Sequence, residues 1–241
     1  MKLSYFLLIV LISQNSSAVV IGDDDLTPVN AEATNIPVQY KKLVNAVGAI
    51  HLGCTATHIG NGYVLTAGHC FEQLKAHEPV ARDLNCDGVS IEWGLREGLT
   101  PYLKSSCQKI VAGHYANNSD FAILKVSPVP HVAIGIDLTR RAKLNDLVTI
   151  FSHPDELPLR WSKTCNVTFV KHPNLPSNAI LMHKCDARPG SSGATIINVT
   201  TKKIVAIHTF GHYYTEEDGI NFGTYLTNPE IANVLKELKL N

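Results

Sequence analysis

The sequence predicts an all-β fold, and three observations point that way. Short apolar runs recur along the whole chain, each bounded by glycine, proline, asparagine or aspartate, a rhythm of sandwiches and barrels. Helical spacing is confined to the end, where Ile231, Val234, Leu235 and Leu238 share one face after Pro229. Asn61-Gly62 between two apolar runs is a strong signal for a two-residue hairpin turn.

The N-terminus reads as a signal peptide over 1–18. Lys2 supplies the positive end, Leu3 to Ile12 the apolar stretch, and Ser16-Ser17-Ala18 a small-residue cleavage site, so the mature chain is expected to start at Val19. That run is too short for a membrane span, and no later run is long enough. An exported protein, secreted or periplasmic, is expected.

The strand candidates follow in order: 47–51, 54–59 and 63–66, with a helical turn within 67–74. Residues 78–101 are polar and punctuated, with Asp87-Gly88 as a turn and 89–93 as a strand. A short strand at 109–111 and a strongly apolar one at 121–126 precede Pro128 and Pro130, which break the chain and mark a boundary between two halves. The second half offers 147–151, 164–170, 179–183, 195–199, 203–209 and 219–226, then the helix. The acidic run Asp23-Asp24-Asp25 reads as a solvated turn.

An exported chain permits disulfides. Six cysteines allow fifteen pairings, and local spacing favours Cys54–Cys70, Cys86–Cys107 and Cys165–Cys185. The net charge of zero gives no case for nucleic acid or an anionic membrane as partner. There is no His-Glu-x-x-His helix and no close zinc-type cysteine spacing, so neither metal nor cofactor is expected, and His77, His114, His153 and His212 read as surface residues. Asn117, Asn166 and Asn198 sit in glycosylation sequons, relevant only to a eukaryotic secretory route.

Three stretches carry candidate chemistry. Leu65-Thr66-Ala67-Gly68-His69-Cys70 ends an apolar strand in a histidine beside a cysteine, which fixes an imidazole in space as a general base requires. Asn118-Ser119-Asp120 heads the apolar strand at 121–126, and Pro189-Gly190-Ser191-Ser192-Gly193 sets a serine between glycines. Histidine, aspartate and serine in that order are one arrangement of the nucleophilic triad, and not the order of α/β-hydrolase esterases.

With these stretches the chain resembles the trypsin-like (chymotrypsin-fold) serine peptidases, in particular the secreted bacterial branch that includes the glutamyl endopeptidases. The likeness also rests on Cys54, Cys185, Ile207-His208-Thr209-Phe210-Gly211, Gly223-Thr224-Tyr225 and the start Val20-Ile21-Gly22-Asp23-Asp24-Asp25. It implies two six-stranded antiparallel β-barrels with the cleft between them and a C-terminal α-helix. His69 and Asp120 would come from a first barrel over 19–131. Ser192 would come from a second barrel, with the helix, over 132–241.

The resemblance also implies roles. Ser192 would attack the scissile carbonyl, His69 would take its proton, Asp120 would orient the imidazole, and the Gly190 and Ser192 N–H groups would bind the oxyanion. Animal digestive members carry an aspartate before the nucleophile, which pairs with a freed N-terminus. Ser191 cannot do this, so activation by that switch is not expected. For specificity, Asp186 would lie at the base of the pocket and favour Lys or Arg. Gly211 and Gly223 would leave that pocket open, with Thr209, Phe210 and Tyr225 lining it. His208 instead matches the pocket histidine of glutamyl members, so Glu is the alternative to the favoured basic residues. The partners are then protein or peptide substrates, and a monomer is expected. The rival from another class is an inactive homologue acting as a binding protein or adhesin.

Overall fold

The structure, a computed structural model, describes residues 18–116, 118–169, 180–213 and 219–240. The signal sequence expected over 1–18 therefore lies almost wholly outside the described residues, as do Asn117, Val170 and Ala179. The strands are β1 (Thr27–Pro28), β2 (Val47–Ile50), β3 (Cys54–Gly60), β4 (Tyr63–Thr66), β5 (Ala81–Leu84), β6 (Ser90–Trp93) and β7 (Leu103–Ala116). They continue with β8 (Ser119–Ser127), β9 (Leu147–Ser152), β10 (Arg160–Thr168), β11 (Ile180–His183), β12 (Thr195–Asn198), β13 (Ile204–Tyr213) and β14 (Gly219–Tyr225), before one helix, α1 (Pro229–Glu237).

Two closed antiparallel barrels result. The first runs β7-β6-β2-β3-β4-β8 and closes through β8 onto β7, with β5 added at its edge. The second runs β10-β11-β14-β13-β12-β9 and closes through β9 onto β10, with β1 added. Each ring is six strands, as the resemblance implies. The β3–β4 hairpin is turned by Asn61 at φ 52° and Gly62 at φ 72°, the left-handed pair that such a turn needs.

The apolar run in β8 is continuous because both of its faces are covered. Ala122, Leu124 and Val126 point into the first barrel with Val64, Ile91, Trp93 and Ile110. Phe121 and Ile123 point the other way, into a cluster between the barrels that includes Leu65, Phe151, Ile207 and the helix residues Ile231, Val234 and Leu235. The second barrel has its own interior, with Val148, Ile150, Leu181, Ile196 and Val205. The helix begins as expected: Pro229 opens it and the Asn228 side chain accepts the Glu230 N–H at 3.1 Å.

The ends of the chain cross over. β1 precedes the first barrel but pairs with β10 of the second, Thr27 opposite Trp161. The helix follows the second barrel but reaches the first: Glu237 meets Arg82 of β5 at 2.8 Å, and Asn228 Nδ2 donates to the Asn118 carbonyl at 2.9 Å. The link between β8 and β9 falls where Pro128 and Pro130 mark a boundary, yet the N-terminal segment sits on the second barrel.

Three readings need correction. β7 spans fourteen residues, not the three at 109–111, because register shifts between Cys107 and Lys109 and between Ile110 and Ala112 break its alternation. β5 forms within the stretch read as polar loop, paired to β7 with little of its surface buried. His114 and His153 are buried, not at the surface. The His114 ring lies 2.9 Å from the Glu230 carboxylate of the helix, and His153 Nδ1 donates to the Leu157 carbonyl at 3.1 Å.

Candidate active site

β4 ends at Thr66, and a 3-10 turn at Gly68–Cys70 carries His69 beyond it. Cys70 is tied to Cys54 at the start of β3, so the turn is anchored on the residue next to the histidine. The other two cysteine pairs, Cys86–Cys107 and Cys165–Cys185, are formed as local spacing favours. β8 lies antiparallel to β4 with Ala122 opposite Thr66, which sets Asp120 beside the histidine turn.

The Asp120 carboxylate is held from three directions. Oδ1 accepts the Gly68 N–H at 2.6 Å and the His69 N–H at 3.0 Å, and Oδ2 accepts His69 Nδ1–H at 2.6 Å. Its position fixes both the backbone and the ring of His69, and leaves the proton on Nδ1 and the acceptor on Nε2. Burial alone would lower the His69 pKa, but the charge and hydrogen bond of Asp120 outweigh it and hold the pKa above its ordinary value.

Ser192 lies in the turn before β12. Gly190 and Gly193 flank it at φ +92° and +85°. A Cβ at Gly190 would come within 2.6 Å of the His153 carbonyl, and one at Gly193 within 2.2 Å of Thr66 Oγ1 and 2.9 Å of Ala67 N. The serine turn therefore packs directly on the strand end that delivers His69, and only glycine fits at those two places. Thr55 of the first barrel grips the turn: its N–H donates to the Ser192 carbonyl at 2.8 Å, and its hydroxyl donates to the Gly190 carbonyl at 2.8 Å while accepting the His153 N–H at 2.9 Å. The N–H groups of Gly190 and Ser192 make no hydrogen bond among the described residues. Ser192 Oγ rests 3.4 Å from the Thr209 carbonyl, a long contact. Ser191 is buried and its hydroxyl lies 3.1 Å from that of Ser152, the place where a paired aspartate would have sat.

On the other side of Ser192 runs β13 with His208 to Gly211, facing Gly223 and Phe222 of β14. Phe210 stacks on Phe222 with ring centres 4.5 Å apart. His208 is fully buried, and a chain of bonds sets its tautomer. His183 Nδ1 accepts the Cys185 N–H at 3.3 Å, so His183 Nε2–H donates to His208 Nδ1 at 3.3 Å. His208 is left with Nε2–H as a buried donor, with the Phe222 backbone close to the ring. Burial, then the nearby charge of His69, pushes the His208 pKa down to about 3, and burial likewise lowers that of His183.

Asp186 does not present an open carboxylate. Oδ1 accepts the Ile21 N–H at 2.8 Å and Oδ2 the Asp25 N–H at 2.7 Å, so this acid anchors the N-terminal segment. Burial raises its pKa, offset in part by those N–H groups. The acidic run beside it is paired as well as solvated: Asp24 meets Arg188, and Asp25 meets Lys163 at 2.5 Å. Asn221 holds the first residues of the segment, accepting the Val19 N–H at 3.0 Å and donating to the Val19 and Cys185 carbonyls at 2.7 and 2.8 Å. A Cβ at Gly211 would lie 2.8 Å from Val19 N, so the segment abuts the wall formed by β13. Tyr225 faces away, into the second barrel, where its hydroxyl donates to the Ala142 carbonyl at 2.9 Å and burial pushes its pKa up to about 12.

Among the described residues two His/Cys groups are close enough to suggest a metal site, Cys54/His69/Cys70 and Cys165/His183/Cys185. The sulfurs of both are joined in disulfides and offer no thiolate. Sequence reasoning missed the parts played by Thr55, His183, Asn221 and Thr224. Each bonds to a partner far away in sequence, and no local pattern separates it from an ordinary strand position.

The structure thus holds an aspartate-bound histidine on one turn and packs a glycine-flanked serine turn on the strand end that delivers it. No curated protein matches the chain. Among solved structures, the fold is similar to that of a Glu endopeptidase (TM-score 0.65, 20% identity, covering 92% of this chain and 100% of that one). It is also similar to the Rv3671c protease in its inactive form (TM-score 0.59, 17% identity, 88% and 96% covered). A serine endoprotease from Yersinia pestis is a further neighbour (TM-score 0.55, 16% identity, 85% and 68% covered). The family described as trypsin-like peptidase domain matches residues 54–207, more than half of the chain, which therefore belongs to that family and is a serine endopeptidase.

Proposed function

We propose that this endopeptidase is exported and works through an acyl-enzyme, with Ser192 as nucleophile, His69 as general base and then acid, and Asp120 as the group that orients the imidazole. The observation that carries this reading is the 2.6 Å bond from His69 Nδ1–H to an Asp120 carboxylate that two backbone N–H groups already hold. The bond keeps Nε2 basic and stabilises the imidazolium once it takes the serine proton. The unpartnered N–H groups of Gly190 and Ser192 are then the oxyanion donors. This route uses protein groups alone and no cofactor. Export is supported by the three disulfides. No described helix is long and apolar enough to cross a membrane.

We infer a preference for glutamate on the acyl side of the bond, the alternative left open by the sequence, over lysine or arginine. Asp186 engages both oxygens with backbone, whereas His208 offers a buried N–H donor beside Thr209. Signal removal before Val19 would add an α-ammonium at Asn221, next to Gly211, and so a positive charge to attract a carboxylate.

The test pairs chromogenic peptides that differ only in Glu or Arg at the cleavage position. Glu is expected to lead, and His208→Ala to lose most of that lead. Faster cleavage after Arg would reverse the specificity. For the triad, Ser192→Ala should lower turnover by about 10⁶-fold if the three residues act as a unit. A fluorophosphonate probe should label Ser192 and nothing else; absence of labelling in active protein would sink the assignment.

A further inference from the structure

Next to the serine turn lies a cavity of about 170 Å³. Its wall includes Cys54, the residue before the Thr55 that grips Ser192, and His153, whose carbonyl packs on Gly190. The Cys54–Cys70 disulfide joins this wall to the turn that carries His69. On the reading above, His69 hands its proton to the departing amine, so the cavity borders the path of the leaving peptide.

Most of the polar groups here are acceptors; His51 and Ser90 also line the cavity, where His51 Nδ1 accepts the Ser90 N–H at 3.1 Å. Glu156 sits over the hairpin tip, its carboxylate 3.6 Å from where a Gly53 Cβ would be. The backbone that carries it is in the left-handed region at both Asp155 and Glu156, φ 52° and 59°. Glu92, on β6, adds a second carboxylate; the exposed Lys104 reaches one of its oxygens at 3.3 Å. His153 is 2% exposed and lines the cavity. With Nδ1–H given to Leu157, its Nε2 is a buried acceptor that has no partner among the described residues. Burial pushes the His153 pKa down to about 4, so this nitrogen is bare at neutral pH. Ala49, Ile50 and Leu95 supply apolar wall between these acceptors. Two carboxylates set beside Ala49, Ile50 and Leu95 match a side chain with a hydrocarbon stem and a cationic, donor-rich head.

We propose that this cavity is a subsite for a lysine or arginine side chain of the substrate, on the leaving-group side of the scissile bond. The proposal rests on the peptidase reading and adds to it a second specificity, opposite in charge to that of the acyl side. The enzyme would then select a glutamate followed, within a few residues, by a base.

The experiment uses peptides identical through the cleaved glutamate, with Arg, Lys, norleucine or Glu at one of the next three positions. At one position Arg and Lys are expected to exceed Glu in kcat/KM by about tenfold, the scale of two partly exposed charge pairs. The double variant Glu92→Gln/Glu156→Gln should bring that ratio close to one, while Glu237→Gln, on the distant helix, should keep it. No preference for a base at any position, or a preference unchanged in the double variant, overturns the subsite. If no peptide is cleaved, the glutamate preference fails and the cavity is judged by binding alone. The Arg and norleucine peptides are then titrated into Ser192→Ala protein. Tighter binding of the Arg peptide that disappears in the double variant supports the cavity, and equal binding overturns it.

Discussion

The hydroxyl of Thr224, on the last strand of the second barrel, accepts the backbone N–H of Asp120, on the last strand of the first, at 2.9 Å. Asp120 in turn holds His69 through two bonds and the neighbouring Gly68 N–H through a third. The two barrels are thus coupled at the residue that holds the His69 ring. Thr224→Val should leave a buried N–H unpaired and cost about 1–3 kcal/mol of stability. Turnover should fall with it, and Thr224→Ser should restore both. Urea unfolding and kcat measured on the same preparations decide this; a Val variant equal to wild type in both would show the contact to be incidental.

Thr55 acts from the opposite barrel on the oxyanion turn. Thr55→Val keeps the shape but removes the donor to the Gly190 carbonyl and the acceptor for the His153 N–H. We expect kcat to fall roughly tenfold with KM nearly unchanged, less than the about 10²–10³ for deleting an oxyanion donor outright. Thr55→Ser should recover most of the loss. A change confined to KM would place the effect in binding instead.

His69 must be neutral to accept a proton, and Asp120 raises its pKa. The acidic limb of kcat/KM should therefore have its midpoint above the ordinary histidine value of 6.5. Asp120→Asn should lower kcat by about 10⁴-fold, as loss of the correct tautomer does in this type of triad. A pH profile whose acidic limb lies below the ordinary value would contradict the assigned geometry.

His153, His183 and His208 behave in the opposite sense. Burial depresses all three pKa values, to about 4 for His153 and about 3 for His208. The unfolded chain then binds more protons below the ordinary value of 6.5, so stability held at neutral pH is lost as pH falls toward the folded-state values. Each histidine contributes up to about 1.4 kcal/mol per pH unit in that window. Thermal unfolding at neutral pH and near pH 4.5 should show a marked loss, and His208→Gln should flatten the dependence. A stability that holds level across that range would refute buried, neutral imidazoles.

The Cys54–Cys70 bridge spans a separation of 16 residues. Replacing both cysteines by alanine should cost about 3 kcal/mol through the unfolded chain. It should also loosen His69, so activity at 25 °C should fall more than the unfolded fraction explains. Activity that tracks only the folded fraction would limit the bridge to a structural role.

Much of this was legible in the chain itself. The hairpin at Asn61-Gly62, the helix after Pro229 and the cysteine pairs each follow from local chemistry, in which neighbours in sequence are neighbours in space. The turns that carry His69 and Ser192 were legible because their flanking residues are constrained too: a carboxylate beside a tight turn, a serine between glycines that alone fit. The long β7 was hidden by its bulges, which destroy the period that reveals a strand. Asp186 misled for a different reason. Its spacing from Ser192 fits a pocket base, but two N–H groups more than 160 positions away in sequence claim its carboxylate. Thr55, Thr224 and His183 matter only through partners on other strands, and no local window contains those partners.

The crossed ends have one more consequence. An endopeptidase is exposed to every other copy of itself. A nick in the connection between β8 and β9 would divide the covalent chain but not the particle, because the first fragment would still clasp the second through β1 and the second would still clasp the first through its helix. Such a nicked form should migrate as two pieces only after denaturation and should keep working until then, so that self-digestion at this seam costs the enzyme little.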